Sequence, residues 1–184
     1  KKALNTLICF VYPAFLFLFF VFLNHFNELP LSKLENIDTN VSVFVVMTAL
    51  IIPMFTDTFA MLTGSVIGGK KLCPNISKGK TISGAVGGVV WSVLFGACVY
   101  LVFGCIESFV PFMEIFPIWA YLIIVFLGSI IAQAGDLFES IIKRRAGVKD
   151  SGKLLPGHGG LLDRIDSYMF IAPYIMIAFW IFAI

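Results

Sequence analysis

Charged residues are scarce in this sequence. Only 13% of its 184 residues are Asp, Glu, Lys or Arg, whereas 59% are hydrophobic and 20 are Phe. Soluble domains contain about 25% charged residues, which cover their water-exposed surface. The shortage of charge therefore excludes an ordinary soluble domain. It favours a helical membrane protein, because a bilayer removes the need for a polar exterior.

Closely paired cysteines are also missing. The four cysteines, Cys9, Cys73, Cys98 and Cys105, form no C-x-x-C pair, and three of them lie in apolar runs. In such runs a cysteine behaves as a small hydrophobic residue. This spacing argues against a disulfide framework and against a zinc site.

Long uncharged runs are abundant, and they predict the fold. A helix needs about 20 residues to cross the ~30 Å hydrocarbon core of a bilayer. Five runs reach that length, and the first is typical of a spanning helix rather than of a cleaved signal peptide. They lie near residues 3–26, 41–68, 84–106, 117–135 and 167–184. Because the sequence contains no repeat and no linker, we expect one transmembrane domain over residues 1–184, an all-α polytopic bundle of about five helices.

The basic residues predict the orientation of this bundle. Lys and Arg are retained on the cytoplasmic side of a membrane during insertion. If Lys1 and Lys2 are cytoplasmic, the loops 69–83 and 136–166 are cytoplasmic as well, and every basic residue except Lys33 falls on that side. We therefore expect a multi-pass protein of the cell membrane whose active site faces the cytoplasm.

Charged and polar residues recur at helical spacing after the fourth run. Asp136, Glu139, Ser140 and Lys143 stand at i, i+3, i+4 and i+7, so they share one helix face. A solvated helix end with i,i+4 ion pairs would have the same pattern. This face is a candidate site only in combination with the features that follow.

A glycine-flanked histidine, His158, precedes two aspartates at the start of the last run. The glycines allow the backbone to approach a ligand, and Asp163 and Asp166 share one helix face. Mg²⁺ is commonly bound by one or two carboxylates together with substrate phosphate oxygens. Complementing the helix dipole is the alternative role, and it accounts for one aspartate better than for two.

Asp57 and a lysine-rich loop complete the set of candidates. An ionisable group inside an apolar run costs several kcal/mol unless it lines a polar cavity, binds a cation or pairs with a lysine of the bundle. The 68–84 loop interleaves lysine with Gly, Ser and Thr, which suits phosphate binding, although anionic lipid headgroups would attract the same lysines. Together these features predict phosphoryl or nucleotidyl transfer to a lipid.

Two segments resemble the phosphatidate cytidylyltransferases, also called CDP-diacylglycerol synthases. Residues 140–166, SIIKRRAGVKDSGKLLPGHGGLLDRID, are similar to the C-terminal signature of that family. Residues 56–88 resemble its upstream block, with a membrane aspartate, the pattern L-x-P-x-I-S-x-x-K-T and paired glycines. The resemblance covers residues 56–175, and Ser65 and Ser83 stand where the family commonly has arginine and glutamate.

The resemblance implies a nucleotidyltransferase of phospholipid biosynthesis. CTP and phosphatidic acid would react to give CDP-diacylglycerol and pyrophosphate. The implied cofactor is Mg²⁺, and a monovalent cation such as K⁺ would bind beside it. The implied metal ligands are Asp136 and Asp163, supported by Asp57 and Asp166. The implied catalytic residues are Asp136, Lys143, Asp163 and Asp166. The substrate- or nucleotide-binding residues are Lys71, Ser77, Lys80, Thr81, Ser140, Arg144, Lys149, Asp150, His158, Gly159, Gly160 and Arg164. A homodimer among membrane lipids is implied, with no nucleic-acid partner.

Three alternatives stay open on the sequence. The first is CTP-dependent cytidylyl transfer to another lipid phosphate, because apolar spans say little about acyl chains. The second is a membrane transporter for anions or Mg²⁺, for which Asp57 and the cytoplasmic lysines could suffice. The third is a catalytically silent relative that retains the fold.

Overall fold

The structure, a computed structural model, describes residues 18–29, 40–74, 76–148 and 162–183. Within these ranges helices dominate. Residues 18–24 are helical and precede a 3₁₀ turn, and a second 3₁₀ turn lies at Glu107–Phe109. The other helices are α1 (Val41–Ile67), α2 (Ile82–Gly104), α3 (Val110–Ile115), α4 (Ile118–Arg145) and α5 (Leu162–Ala183).

A short β-hairpin connects α1 and α2. Its strands are β1 (Lys71–Cys73) and β2 (Ser77–Thr81), which pair antiparallel with Lys71 opposite Thr81. Gly68 and Gly69 have φ angles of 64° and 103°, a region that glycine adopts without steric cost, and they turn the chain out of α1. The predicted 69–83 loop thus contains two paired strands.

Three helices, α1, α2 and α4, are long and apolar enough to cross a membrane. The apolar part of α5, Asp166–Phe182, is shorter, and the run near 3–26 is described only from residue 18 onwards. The predicted all-α membrane fold is confirmed. That the whole chain forms one domain stays a prediction.

The end of α4 differs from the predicted span. The helix continues beyond residue 135 to Arg145. This agrees with the helical spacing of Asp136, Glu139 and Lys143, although hydropathy alone assigned residues 136–166 to a loop. Hydropathy marks where a chain becomes polar, whereas backbone hydrogen bonding continues past that point. Three basic residues in the last turn favour this extension because they complement the helix dipole.

Small residues bring α1 and α2 into close contact. A Cβ atom on Gly84 would lie 2.5 Å from the Ala60 carbonyl oxygen, and one on Gly88 would lie 2.7 Å from the Thr56 carbonyl oxygen. Glycine at such positions lets two helix backbones approach closely. The contact places the beginning of α2 beside the Asp57 region of α1.

An aromatic cluster fixes the opposite end of the bundle. The Phe44 ring of α1 lies with its centroid 5.0 Å from that of Phe103, 5.1 Å from that of Tyr121 and 6.0 Å from that of Phe179. These residues belong to α2, α4 and α5. The apolar core therefore holds the four long helices together away from the hairpin, and the polar residues gather at the hairpin end.

Candidate active site

A cavity of about 540 Å³ lies between α1, the hairpin, α2 and α4. This volume falls within the range of roughly 300–1,000 Å³ typical of small-molecule sites. Glycines and small apolar side chains form much of its wall. The polar lining residues are Asp57, Ser65, Lys71, Ser77, Lys80, Thr81, Gln133 and Asp136.

An ion pair crosses this cavity from the hairpin to α4. The Lys80 amine contacts Oδ2 of Asp136, and each side chain is 27% exposed. Asp57 on α1 interacts electrostatically with both residues. The cavity wall thus combines two carboxylates with a lysine, and Lys71 supplies a second cation at its rim.

Ser167 connects Asp57 to the beginning of α5. Its hydroxyl donates to Asp57 Oδ2 at 3.2 Å, and its backbone N–H donates to Asp166 Oδ1 at 2.7 Å. Asp166 also interacts electrostatically with Asp136. The structure therefore gathers three of the four aspartates predicted as metal ligands, from three different helices.

The acidic cluster extends along α4 to a buried carboxylate. Glu139 is 5% exposed, and its Oε2 atom lies 2.6 Å from the amine of Lys143 one turn later. Glu139 also interacts with Asp166. Lys143, which the resemblance implies is catalytic, is thus paired with a carboxylate and does not line the cavity.

Arg144 reaches the hairpin instead of the cavity. Its Nε atom donates to the Ile76 carbonyl oxygen at 3.2 Å. This bond joins the end of α4 to the hairpin tip, and the nucleotide-binding role that the resemblance implies for Arg144 stays a prediction. Ser140 is half-buried and does not line the cavity either.

Several predicted residues lie outside the described part of the chain. The side chains of Asp163 and Arg164 are among them, although their backbone belongs to α5. Their predicted roles stay predictions, as do those of Lys149, Asp150, His158, Gly159 and Gly160. By contrast, Lys71, Ser77, Lys80 and Thr81 line one cavity with Asp57 and Asp136.

Gln133 is a cavity residue that the sequence interpretation missed. Its Nε2 atom donates to the Ala85 carbonyl oxygen at 3.1 Å, so it connects α4 to α2 at the cavity wall. The signal was available, because Gln133 is a lone amide in an apolar run, three residues before Asp136. Residues at this spacing share a helix face.

The donor chemistry of the cluster fits a hard divalent cation. Asp57, Asp136 and Asp166 offer carboxylate oxygens, the ligands that Mg²⁺ prefers, and a cation would offset their mutual repulsion. Among the described residues, no three His, Cys, Asp or Glu side chains already surround one point as metal ligands. The Mg²⁺ centre, which would include Asp163, stays a prediction.

Comparison with known proteins gives consistent matches. A model of the cytidylyltransferase family matches residues 1–182. The phosphatidate cytidylyltransferase of Staphylococcus saprophyticus is 42% identical over 132 residues, that of Staphylococcus haemolyticus 43% over 138 residues, and that of Staphylococcus epidermidis 45% over 132 residues. Each match covers 72% of this chain and 47% of the relative. The chain spans about half the length of the curated relatives it matches.

Proposed function

The chain belongs to the cytidylyltransferase family, and on that premise we propose that it transfers the cytidylyl group of CTP to phosphatidic acid. The products are CDP-diacylglycerol and pyrophosphate. One observation carries the proposal: a cavity among membrane-type helices combines Asp57 and Asp136 with Lys71 and Lys80. Carboxylates for a metal, cations for phosphates and a lipid environment are the three requirements of this reaction.

In the proposed reaction, an oxygen of the lipid phosphate attacks the α-phosphorus of CTP, and the bond to pyrophosphate breaks. A phosphate monoester is already anionic near neutral pH, so the attack needs no strong general base. The main obstacle is repulsion between two anionic substrates, and cations in the site lower it. Bound Mg²⁺, held by Asp136 and Asp163 with support from Asp57 and Asp166, would neutralise phosphate charge and orient the groups.

Lys80 is suited to exchange partners during this reaction. In the present structure its amine contacts Asp136. A lysine amine has three donors on a flexible stem, so it can turn to a phosphate oxygen when the nucleotide enters. Lys71 at the same rim would then contact a second phosphate. Gln133, between α2 and α4, would keep the facing wall in place.

The wall of the cavity supports a lipid acceptor. Met61, Leu72 and Ala85 line it together with the polar residues, and α1, α2 and α4 are each able to span a bilayer. An acceptor whose phosphate is attached to acyl chains can therefore place its headgroup beside Asp57 while the chains stay in the bilayer. A soluble acceptor would have no need of this position.

We also propose the orientation that the basic residues predict, together with the dimer and the second cation that the resemblance implies. The hairpin lysines and the basic end of α4 meet through Arg144, so this end of the bundle is expected in the cytoplasm. A multi-pass arrangement in the cell membrane, a homodimer and a monovalent cation beside Mg²⁺ belong to the same proposal. Chemical crosslinking in membranes tests the dimer.

Incorporation of radiolabel from CTP into lipid tests the proposed function. The purified chain is incubated in detergent micelles with Mg²⁺ and phosphatidic acid, and the chloroform-soluble product is identified by chromatography. Parallel reactions contain an isoprenoid phosphate, no lipid, or EDTA. We expect labelled CDP-diacylglycerol in the reaction with phosphatidic acid and Mg²⁺, and no labelled lipid in the three parallel reactions.

Two results would contradict the proposal. Label in the isoprenoid product but not in CDP-diacylglycerol would show that the acceptor is a lipid phosphate other than phosphatidic acid. No product from folded protein, together with Mg²⁺ or anion flux into liposomes that contain it, would favour a transporter.

A further inference from the structure

The hairpin carries cavity residues on very short strands. Its strands span three and five residues, yet Lys71, Ser77 and Lys80 all line the cavity. An isolated two-stranded hairpin is only marginally stable in water. The position of its lysines therefore depends on contacts with the helices around it.

At its base, the hairpin is closed by a set of bonds that we call the hairpin clasp, formed by Gly68, Thr81, Ser83 and Gly84. The Ser83 hydroxyl donates to the Gly68 carbonyl oxygen and lies 3.2 Å from Thr81 Oγ1. Thr81 Oγ1 accepts the Gly84 N–H at 3.1 Å and caps the start of α2. The clasp thus joins the end of α1 to the beginning of α2 at the base of the hairpin.

The backbone at Gly68, which we call the glycine joint, has few steric restraints, so a hydrogen bond can fix its conformation. Gly68 and Gly69 adopt positive φ angles, and a Cβ atom at either position would meet nothing within 4 Å. Neighbouring side chains therefore do not confine this part of the backbone sterically, and glycine has more conformational freedom than any other residue. A hydroxyl bound to the Gly68 carbonyl restricts rotation at this point.

We infer that Ser83 is a positioning residue: its hydroxyl fixes the glycine joint and thereby holds Lys71 and Lys80 where they bind nucleotide phosphates. The nucleotide part of this inference rests on the proposed function. Ser83 does not line the cavity, so it acts through the hairpin and not by touching the nucleotide.

Three variants test this inference. Ser83→Ala removes the hydroxyl, Ser83→Thr retains it, and Ser92→Ala serves as the matched control. Ser92 lies on the same helix and is buried, and its hydroxyl has no hydrogen-bond partner among the described residues. Two quantities are measured for each purified protein: amide hydrogen exchange of residues 68–84 without nucleotide, and equilibrium binding of CTP with Mg²⁺.

We expect Ser83→Ala to accelerate exchange at the Ile82 and Gly84 amides and to weaken CTP binding, each about threefold to tenfold, the range for loss of one hydrogen bond. The Ile82 amide reports on the base of the hairpin because it donates to the Lys70 carbonyl oxygen at 3.0 Å. Ser83→Thr and Ser92→Ala are expected to match the wild type in both measurements.

Unchanged exchange in Ser83→Ala would overturn the inference, and so would faster exchange with unchanged CTP affinity. An equal effect of Ser92→Ala would also overturn it, because the effect would then be general to α2. A wild-type chain that binds no CTP contradicts it as well. A chain that binds CTP but forms no lipid product contradicts the proposed function alone.

Discussion

At the scale of single residues, the cavity depends on a balance of opposite charges. Two carboxylates, on Asp57 and Asp136, interact with the amine of Lys80, and all three side chains line a cavity beside apolar helices. Charge-assisted contacts are stronger in such surroundings than in water. Each of these side chains should therefore have a measurable effect on nucleotide binding.

Lys80 provides the first prediction. Lys80→Gln is expected to raise the KM for CTP about tenfold or more, because it removes a charged hydrogen bond worth roughly 1.5–3 kcal/mol. Lys70→Gln is the matched control, since Lys70 is an exposed lysine beside the hairpin that does not line the cavity. Initial rates at varied CTP concentration measure both effects. Equal KM values in the two variants would refute the role of Lys80.

The sequence predicted the cavity residues better than their contacts. Asp57 was recognised because an acid in an apolar run needs a polar partner, and the structure places it beside Asp136 and Lys80. The resemblance implied a nucleotide-binding role for Arg144 but gave no sign of its bond to the Ile76 carbonyl oxygen. That contact joins residues 68 positions apart, and sequence spacing carries no information on such a pair.

At the scale of elements, the site depends on the close approach of α1 and α2. Glycines on α2 face the backbone of α1, and the hairpin emerges where the two helices meet. Extra atoms in this contact would separate the helices and widen the cavity. Overpacking of this kind costs about 1–3 kcal/mol.

Gly88 provides the prediction at this scale. Gly88→Ala is expected to lower the free energy of unfolding by about 1–3 kcal/mol, because the new Cβ would lie 2.7 Å from the Thr56 carbonyl oxygen. Gly104→Ala is the control on the same helix, where a Cβ atom would meet nothing within 4 Å. Denaturation in detergent micelles compares the two. Equal stability of the two variants would show that the helices do not meet at Gly88.

Element types followed from the sequence more readily than element ends. Uncharged runs predicted α1, α2 and α4, because a spanning helix is necessarily long and apolar. The hairpin was not predicted, since its lysines and glycines do not alternate as strand residues usually do. Its ends are held by bonds from Ser83 to the Gly68 carbonyl oxygen and from Arg144 to the Ile76 carbonyl oxygen, and each bond joins residues far apart in the sequence.

At the scale of the whole molecule, the aromatic core and the polar cavity lie at opposite ends of the bundle. The aromatic cluster around Phe44 holds one end of the bundle, and the cavity occupies the other. Basic residues of the hairpin and of α4 lie at the cavity end. The positive-inside rule then predicts that this end faces the cytoplasm.

Cysteine labelling tests this orientation. Gly79→Cys in the hairpin and Glu107→Cys at the other end are introduced separately after the native cysteines have been replaced by alanine; both positions are exposed. A membrane-impermeant maleimide is expected to react with Glu107→Cys in intact cells and with Gly79→Cys only after lysis. Reaction of Gly79→Cys in intact cells would show that the hairpin lies outside the cell, and it would contradict the predicted orientation.

We propose that this cavity transfers the cytidylyl group of CTP to a lipid phosphate. The most direct measurement is kcat/KM for label transfer from CTP to phosphatidic acid in the wild type, in Asp136→Asn and in Glu114→Gln, an exposed acid on α3. Asp136→Asn is expected to lower kcat/KM about a hundredfold or more, as loss of an electrostatic group in an active site commonly does, whereas Glu114→Gln should match the wild type. Wild-type activity in Asp136→Asn, or no lipid product from the folded wild type, would contradict the claim.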